Sequence, residues 1–141
     1  MGAIDVGWRE HRYARRVQFA ETDQAGMVHF SMHLRYVEEA EHALWRAAGL
    51  SIADPASPVG FPRVSFSIDY HAPLRFEDEF EVHVQIETVS RRSISYRSAI
   101  TRGETRISTS THTAVCVGRP PEPMKARDIP ARVLERLGVS T

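Results

Sequence analysis

The spacing of apolar residues changes once along the chain, and this change constrains the fold more than any other feature of the sequence. Between Ser31 and Gly49 the apolar residues recur every three or four positions, as in Val37, Ala40 and Leu44. This spacing predicts one long amphipathic helix of about five turns. Ser31 is a suitable N-terminal cap, and Gly49 can adopt the left-handed conformation that often follows a helix. A single long helix must bury its apolar stripe against another element.

Beyond the helix, apolar and polar residues alternate, as expected for strands with one buried face. Four such segments follow one another, at residues 64–70, 80–86, 94–100 and 106–117. A shorter alternating segment, Arg15 to Phe19, predicts a first strand ahead of the helix, and Pro130 opens a short amphipathic helix near the C-terminus. Because short turns join the four later strands, we expect an antiparallel meander. The sequence therefore predicts an α+β fold in which a curved antiparallel β-sheet wraps around a long central helix.

Composition narrows the classes of function. The 141 residues suit one domain, and 18 Lys and Arg balance 18 Asp and Glu, so net charge gives no attraction to nucleic acid or to an anionic membrane. The only cysteine, Cys116, excludes an intrachain disulfide and falls within a predicted strand, where we expect an unreactive core thiol. No segment approaches the roughly 20 apolar residues of a membrane span, and the first residues lack the apolar region of a signal peptide. We therefore expect a cytoplasmic protein.

The densest group of reactive side chains lies between the first strand and the helix, in FAETDQAGMVHFSMH at residues 19–33. The group contains Glu21, Asp23, His29 and His33 beside Gly26. A carboxylate just ahead of a helix can act as a base or a nucleophile, and the free N–H groups of the helix start can stabilise an oxyanion. Asp is also a common turn residue, so the residues alone leave both interpretations of Asp23 open.

Two other patterns could bind ligands. His29 and His33 have the four-residue spacing of a metal site, but the sequence has no HExxH motif and no obvious third ligand. We therefore predict no metal, and expect two partly buried histidines bonded to the backbone. Arg91 and Arg92 lie at a predicted turn, where they could bind a phosphate or remain solvated. No glycine-rich phosphate loop, GxSxG elbow or CxxC pair is present in the sequence.

Three segments, in order, resemble one known family. VQFAETDQAGMVHFSMHLRYVEEAE resembles the opening of the hotdog-fold acyl-CoA thioesterases of the 4-hydroxybenzoyl-CoA thioesterase type, which have a strand, a T-D-x-x-G-x-V motif and a long central helix. IDYHAPLRFEDEFEVHVQI is similar to the family's second and third strands, and TAVCVGRPPEPMKARDIPARVLERL to its last strand and the helix after it. The resemblance extends over about residues 13–138 and implies a single hotdog domain within residues 1–141.

The resemblance assigns roles to the polar cluster. Asp23 matches the family's catalytic carboxylate, Gly26 the glycine of its tight turn, and Phe30 the residue whose backbone N–H polarises the thioester carbonyl. Members related to the bacterial Tol-Pal-associated thioesterase have His where Phe30 stands and Tyr where His33 stands, so the family assigns no histidine role here. The chemistry needs no metal and no organic cofactor. On this assignment Glu21 is an ordinary loop carboxylate.

The implied activity is hydrolysis of an acyl- or aroyl-CoA thioester to the free acid and CoA. The alternatives are a hotdog hydratase or dehydratase acting on acyl thioesters, which would use Asp23 with His29, and a non-catalytic acyl-CoA-binding module. The donor could be CoA or an acyl-carrier protein. An unpaired sheet edge favours association, and members of this family pair their sheets across a two-fold axis with the active site at that interface. The resemblance therefore implies a homodimer or homotetramer whose helix-start amides and acyl pocket come from different subunits.

Substrate contacts are expected in two regions. The loop from Ile52 to Phe61 and the start of the next strand, including Val64, are expected to shape the acyl pocket together with His29. Arg91 and Arg92 are expected to contact the CoA phosphates. The other candidates for that role are three basic residues near the C-terminus: Arg119, Lys125 and Arg127.

Overall fold

The computed structural model describes residues 9–139, which form a five-stranded antiparallel sheet with a long helix on one face and a second, two-stranded sheet. The strands are β1 (Glu10–Arg16), β2 (Val59–Gly60), β3 (Arg63–Tyr70), β4 (Glu79–Val89), β5 (Ser93–Arg102), β6 (Thr105–Val115) and β7 (Val117–Gly118), and the helices are α1 (Met32–Ala47) and α2 (Ala131–Leu137). Five strands pair in the order β1-β4-β5-β6-β3, and β2 pairs with β7 in a separate two-stranded sheet. The predicted α+β architecture with a long central helix is confirmed.

The long helix lies where its apolar spacing predicts. It begins at Met32 and ends at Ala47, and Gly49 follows it with a φ of 78°. Such a left-handed backbone is readily adopted by glycine and disfavoured for residues with a Cβ atom. Ser31 precedes the helix as predicted, but its side chain makes no capping hydrogen bond.

The predicted first strand is wrong in its position. The strand β1 ends at Arg16, and Phe19 instead begins a short 3-10 helix over Phe19–Glu21. The side chains of β1 alternate between half-buried and exposed, with none fully buried, so this strand lacks the apolar alternation by which the others are recognised.

The predicted meander is confirmed only for β4, β5 and β6. The strand β3 pairs with β6 at the far side of the sheet, and the position beside β4 is taken by β1. Residues 71–78 connect β3 to β4, and a connection of this length exceeds the short loops that force two strands into a hairpin. The strands β1 and β3 are consequently the two edges of the sheet.

The core lies between α1 and the inner face of the sheet. The helix packs against β1 and β4, and its buried side chains include Tyr36, Val37, Leu44 and Trp45. The Trp45 indole N–H donates a 2.9 Å hydrogen bond to the Tyr96 hydroxyl on β5, so the only polar group of this large side chain is satisfied inside the core.

An ionic cluster is buried within the same core. The side chain of Glu41 on α1 has no exposed surface, and its Oε1 accepts hydrogen bonds from Arg63 on β3 and from His112 on β6. Arg63 also donates to Glu38 on the exposed side of the helix. The cluster therefore joins the helix to the edge strand β3 through paired charges rather than through apolar contact alone.

The remaining sequence expectations concern the thiol and the membrane. Cys116 is fully buried, and burial raises the pKa of its thiol, as predicted for an unreactive core cysteine. Neither helix within residues 9–139 combines the length and the apolar character that a membrane span needs. The N-terminal residues 1–8, on which the expected absence of a signal peptide depends, lie outside the described residues.

Candidate active site

Asp23 lies in a tight turn between the 3-10 helix and α1. Its N–H donates to the carbonyl of Met27 at 2.7 Å, and its Oδ1 accepts the N–H groups of Ala25 (2.9 Å) and Met27 (3.2 Å). Gly26 closes the turn with a φ of 80°, so the glycine predicted for this turn meets a conformational requirement. Asp23 is exposed, and its Oδ2 has no hydrogen-bond partner among residues 9–139. One carboxylate oxygen is thus fixed by the turn while the other remains available.

The segment that follows the turn leads directly into α1. The N–H of Val28 donates to Leu74, and the N–H of His29 donates to the carbonyl of Glu21. The next N–H, that of Phe30, has no acceptor within the described part of the chain, and the Phe30 side chain is exposed. A free N–H at a helix start is the group that can polarise a carbonyl oxygen.

Glu21 has a structural role that the sequence does not reveal. Its two carboxylate oxygens accept Nη1 and Nη2 of Arg15 at 2.8 and 2.6 Å, and Oε1 also accepts the Tyr36 hydroxyl and the Gln18 N–H. Burial by itself raises the pKa of Glu21, but these hydrogen bonds together hold that pKa below its usual value. The expectation that Glu21 is an ordinary loop carboxylate is wrong, because the side chain is buried and ion-paired.

The two histidines differ from each other. His29 bonds the backbone as expected, since its Nδ1 accepts the Ser31 N–H at 3.3 Å, whereas His33 bonds a side chain instead. His33 is buried, and its Nδ1 lies 3.0 Å from the hydroxyl of Ser108 on β6. Burial lowers the pKa of His33 to about 4, so its imidazole is neutral near pH 7. His29 is exposed and bonds the hydroxyl of Ser31 at 2.8 Å. Within residues 9–139 no three His, Cys, Asp or Glu side chains are placed to hold a metal ion.

The predicted site residues Asp23, Val64 and Phe61 line three different surface cavities. Asp23 and Gly26 line a cavity of about 710 Å³ whose other walls include Phe19 and Phe76. Val64 lines a second cavity of about 530 Å³ between the first turns of α1 and β3. Phe61 lines a third, of about 660 Å³, at the C-terminal end of α1. One chain therefore does not bring Phe61 or Val64 into the cavity that contains Asp23.

Arg91 and Arg92 lie at the end of the sheet opposite to Asp23. Both guanidinium groups pair with Asp128, and they hold the pKa of that carboxyl below its usual value. They follow the end of β4, whereas the Asp23 turn is bonded to the residues just before the start of that strand. The strand β4 has 11 residues and is about 33 Å long at 3.3 Å per residue, so the two sites lie at opposite ends of a long strand. The pair is exposed and basic, as predicted, but distant from the carboxylate of its own chain.

A carboxylate with one free oxygen, an unpartnered helix-start N–H and an adjacent cavity define a site suited to acyl transfer. Residues 17–137 match the model of the thioesterase-like superfamily. The chain belongs to this superfamily, and the predicted class of enzyme, a thioester hydrolase, is confirmed.

Several characterised proteins are similar to the chain along most of their length. The acyl-CoA thioester hydrolase YbgC of Shigella flexneri is 27% identical over 87% of this chain and 92% of its own length. A 1,4-dihydroxy-2-naphthoyl-CoA thioesterase from Synechocystis has a similar structure, with a TM-score of 0.83, 25% identity and coverage of 92% of this chain and 96% of its own. A 4-hydroxybenzoyl-CoA thioesterase complexed with 4-hydroxybenzoyl-CoA shares the fold at a TM-score of 0.81 and 20% identity, over 92% of this chain and 99% of that protein. The predicted hotdog fold is thereby confirmed.

Proposed function

We propose that the protein hydrolyses an acyl- or aroyl-CoA thioester, with Asp23 as the catalytic carboxylate. The observation that carries the proposal is the turn in which the Asp23 Oδ1 is held by two N–H groups while Oδ2 stays free. This arrangement fixes the orientation of the carboxylate and leaves a lone pair for reaction. The names of the relatives, hydrolases of acyl-CoA and naphthoyl-CoA thioesters, support the same substrate class.

The reaction needs only groups that this chain supplies and a water molecule. The Phe30 N–H donates to the thioester carbonyl oxygen and stabilises the negative charge that develops there. Asp23 either attacks the carbonyl carbon, forming a mixed anhydride that water then hydrolyses, or removes a proton from the attacking water. In both routes the carbon–sulfur bond breaks, the thiolate leaves and is protonated, and the products are the free acid and the thiol. Neither route requires a metal or an organic cofactor.

A second copy of the chain is part of the proposal. Among the described residues, the edge strand β3 has an unpaired side. Exposed apolar residues lie on this strand (Val64 and Tyr70) and at the start of α1 (Phe30 and Leu34). Tyr70 bonds the Phe30 carbonyl and Val64 lines one cavity with Leu34, so the two elements share an exposed apolar patch. Such an edge and patch favour pairing with another chain. Because Arg91 and Arg92 lie far from Asp23 of the same chain, they are candidates to bind CoA phosphates for a site completed by a partner subunit. We propose a homodimer, or a homotetramer built from two such dimers.

The substitution Asp23→Asn tests the catalytic assignment. It preserves the size of the side chain but removes both the nucleophile and the base, so kcat for thiol release from acyl-CoA should fall by at least about a hundredfold. KM should change much less, since contacts to the acyl and CoA groups remain. Glu104→Gln is the matched control, because Glu104 is an exposed carboxylate in the β5–β6 turn, and this variant should keep the wild-type rate.

Other outcomes would point to the alternative functions. Thiol release that survives Asp23→Asn contradicts the catalytic assignment. Hydration of an enoyl-CoA without thiol release identifies a hydratase. Tight binding of acyl-CoA with neither reaction identifies a non-catalytic binding module. A panel of alkyl and aryl acyl-CoA substrates, together with an acyl-carrier-protein donor, identifies the acyl group and the carrier.

A further inference from the structure

Two exposed aromatic side chains form a wall of the Asp23 cavity. Phe19 and Phe76 are 75% and 48% exposed, and their rings meet edge to face with centroids 5.6 Å apart. Both line the same cavity of about 710 Å³ as Asp23. Contiguous exposed apolar side chains beside a cavity are typical of surfaces that bind a ligand or a partner. Because the two rings lie beside the candidate catalytic carboxylate, they are candidates to contact a bound ligand.

Phe19 is held in its exposed position by the turn behind it. It is the first residue of the 3-10 helix, and its carbonyl accepts hydrogen bonds from both the N–H and the hydroxyl of Thr22. The last residue of that helix, Glu21, is fixed by its bidentate pair with Arg15. The ring of Phe19 is consequently presented by a rigid backbone rather than by a loose loop.

Phe76 is held by a strained turn that is bonded to the Asp23 turn. The Arg75 N–H donates to the Asp78 carboxylate, the Asp78 N–H returns to the Arg75 carbonyl, and Glu77 between them has a φ of 68°. A left-handed conformation is unfavourable for glutamate, and such strain is concentrated at functional sites. A bridge between Met27 and Arg75 joins this turn to the turn that contains Asp23. Phe76 and Asp23 therefore keep a fixed relation to each other.

We infer that Phe19 and Phe76 are specificity-determining residues that contact the acyl group of the thioester substrate. The inference rests on the proposed function, because it takes the thioester carbonyl to be bound at Asp23. The acyl group begins at that carbonyl carbon, so its first carbons lie within the cavity that contains Asp23. The other substituent, the CoA arm, carries amide groups that need hydrogen-bond partners, and two phenyl rings offer none. An apolar alkyl or aryl acyl group is the better match to this wall.

The test measures binding separately from catalysis. In the Asp23→Asn background, which holds substrate without turnover, the affinities for an acyl-CoA and for free CoA are measured by calorimetry for Phe19→Ala, Phe76→Ala and the double variant. Each single variant should weaken acyl-CoA binding by about tenfold, the effect of losing part of one buried phenyl contact, and the double variant by more. Affinity for free CoA should stay constant, because CoA has no acyl group.

Two control variants separate a specific contact from a general loss of apolar surface. Met124→Ala removes a side chain that is 78% exposed and lines no part of the Asp23 cavity, so it should leave acyl-CoA affinity unchanged. Phe19→Leu keeps an apolar side chain and should restore most of the affinity lost in Phe19→Ala. In active enzyme with Asp23 intact, the same alanine variants should shift the preference among acyl-CoA substrates of different acyl size.

The possible results distinguish this inference from the proposed function. An equal loss of affinity for acyl-CoA and free CoA assigns the rings to the CoA arm and overturns the inference, as does unchanged affinity for both. A fall in the oligomeric mass of the double variant, measured by sedimentation, assigns the rings to a subunit interface and also overturns it. In a further case, the alanine variants lose affinity for acyl-CoA as expected while the wild-type protein releases no thiol. That result supports the inference and rejects the proposed hydrolysis.

Discussion

The substitution Arg63→Met should be strongly destabilising, because it leaves the fully buried carboxylate of Glu41 without one of its two partners. Nε and Nη2 of Arg63 donate to Oε1 of Glu41 at 3.1 and 2.6 Å, and Nη1 donates to Glu38 at 3.1 Å. The His112 Nε2 lies 2.8 Å from the same Glu41 oxygen, and the other oxygen, Oε2, has no hydrogen-bond partner within the described residues. Methionine retains most of the apolar stem of arginine, so the change removes mainly the charge and the donors.

The expected cost follows from the burial of Glu41. Removing one partner of a buried ion pair costs about 3–5 kcal/mol, because the remaining charge is not solvated and here keeps only its contact with His112. A loss of 1 kcal/mol lowers Tm by about 3–5 °C for a domain of this size, so the variant should melt roughly 10–20 °C below wild type. Arg12→Met is the matched control, because Arg12 pairs with Glu81 at 2.7 Å but is 59% exposed. That variant should lose at most about 1 kcal/mol.

The same cluster predicts how the stability difference between wild type and Arg63→Met depends on pH. Burial raises the pKa of Glu41, but His112 and Arg63 outweigh it and hold that pKa below its usual value. A lowered folded-state pKa contributes stability above the unfolded pKa of the carboxyl, and this contribution is lost as pH falls through the folded-state value. Arg63→Met removes one of the two groups that lower the pKa of Glu41, so burial raises this pKa above its value in wild type. The stability difference between wild type and Arg63→Met should therefore narrow as pH falls below the unfolded-state pKa of the carboxyl, where wild type loses this contribution.

Urea denaturation at several pH values, with the double variant Glu41→Leu/Arg63→Met, checks this reasoning. The double variant removes both charges and leaves only the buried His112 Nε2 without its acceptor. It should be more stable than Arg63→Met alone, because a buried carboxylate that has lost its ion pair costs more than one unsatisfied imidazole nitrogen. Two results would contradict the prediction: a loss of less than about 1 kcal/mol in Arg63→Met, or a double variant no more stable than the single one. Either would show that the Arg63–Glu41 ion pair contributes little to the free energy of unfolding.

Three further predictions use the same kinds of measurement. Glu21→Gln should lower the free energy of unfolding by about 2–4 kcal/mol, because it breaks a buried bidentate pair with Arg15. Urea denaturation measures this loss, and a change of less than about 0.5 kcal/mol, as for an ordinary surface substitution, would contradict the prediction. The double variant Arg91→Ala/Arg92→Ala should raise KM for acyl-CoA with little change in kcat, the result of losing uniform binding, and an unchanged KM would favour Arg119, Lys125 or Arg127 as the phosphate site. Activity per chain should fall on dilution in step with dissociation seen by sedimentation, and a fully active monomer would refute a shared site.

The parts of the fold that could be predicted from the sequence are those determined by near neighbours. The helix, its glycine stop and the β4–β5–β6 meander all follow from spacing and from short turns. The turn containing Asp23 and Gly26 is likewise local, because its hydrogen bonds join residues at most four positions apart. A motif of this kind can be recognised in one sequence because its geometry depends on consecutive residues.

The parts that could not be predicted depend on residues far apart in the chain. Glu41 lies in a run of glutamates on α1, and nothing local shows that it faces inward, since its partners Arg63 and His112 lie 22 and 71 positions away. Phe19 alternates with Val17 and was therefore expected in a strand, but it begins a 3-10 helix and meets Phe76 from another turn. Burial of charge and exposure of an aromatic ring both arise from tertiary contacts, which override local patterns.

The carboxylates of Glu21 and Asp23 lie only two residues apart in the sequence but have different hydrogen-bond partners. Both oxygens of Glu21 are occupied by Arg15, with Tyr36 adding a third donor, so this side chain has no oxygen left for substrate. Asp23 has one oxygen held by the N–H groups of its own turn and one oxygen free at the surface of a cavity. The Glu21 carbonyl accepts the His29 N–H, which ties the rigid side of the turn to the segment that presents the Phe30 N–H. Glu21 therefore fixes the position of the backbone on both sides of Asp23. Under the proposed mechanism, the Asp23 oxygen and the Phe30 N–H would then need little rearrangement when a thioester binds.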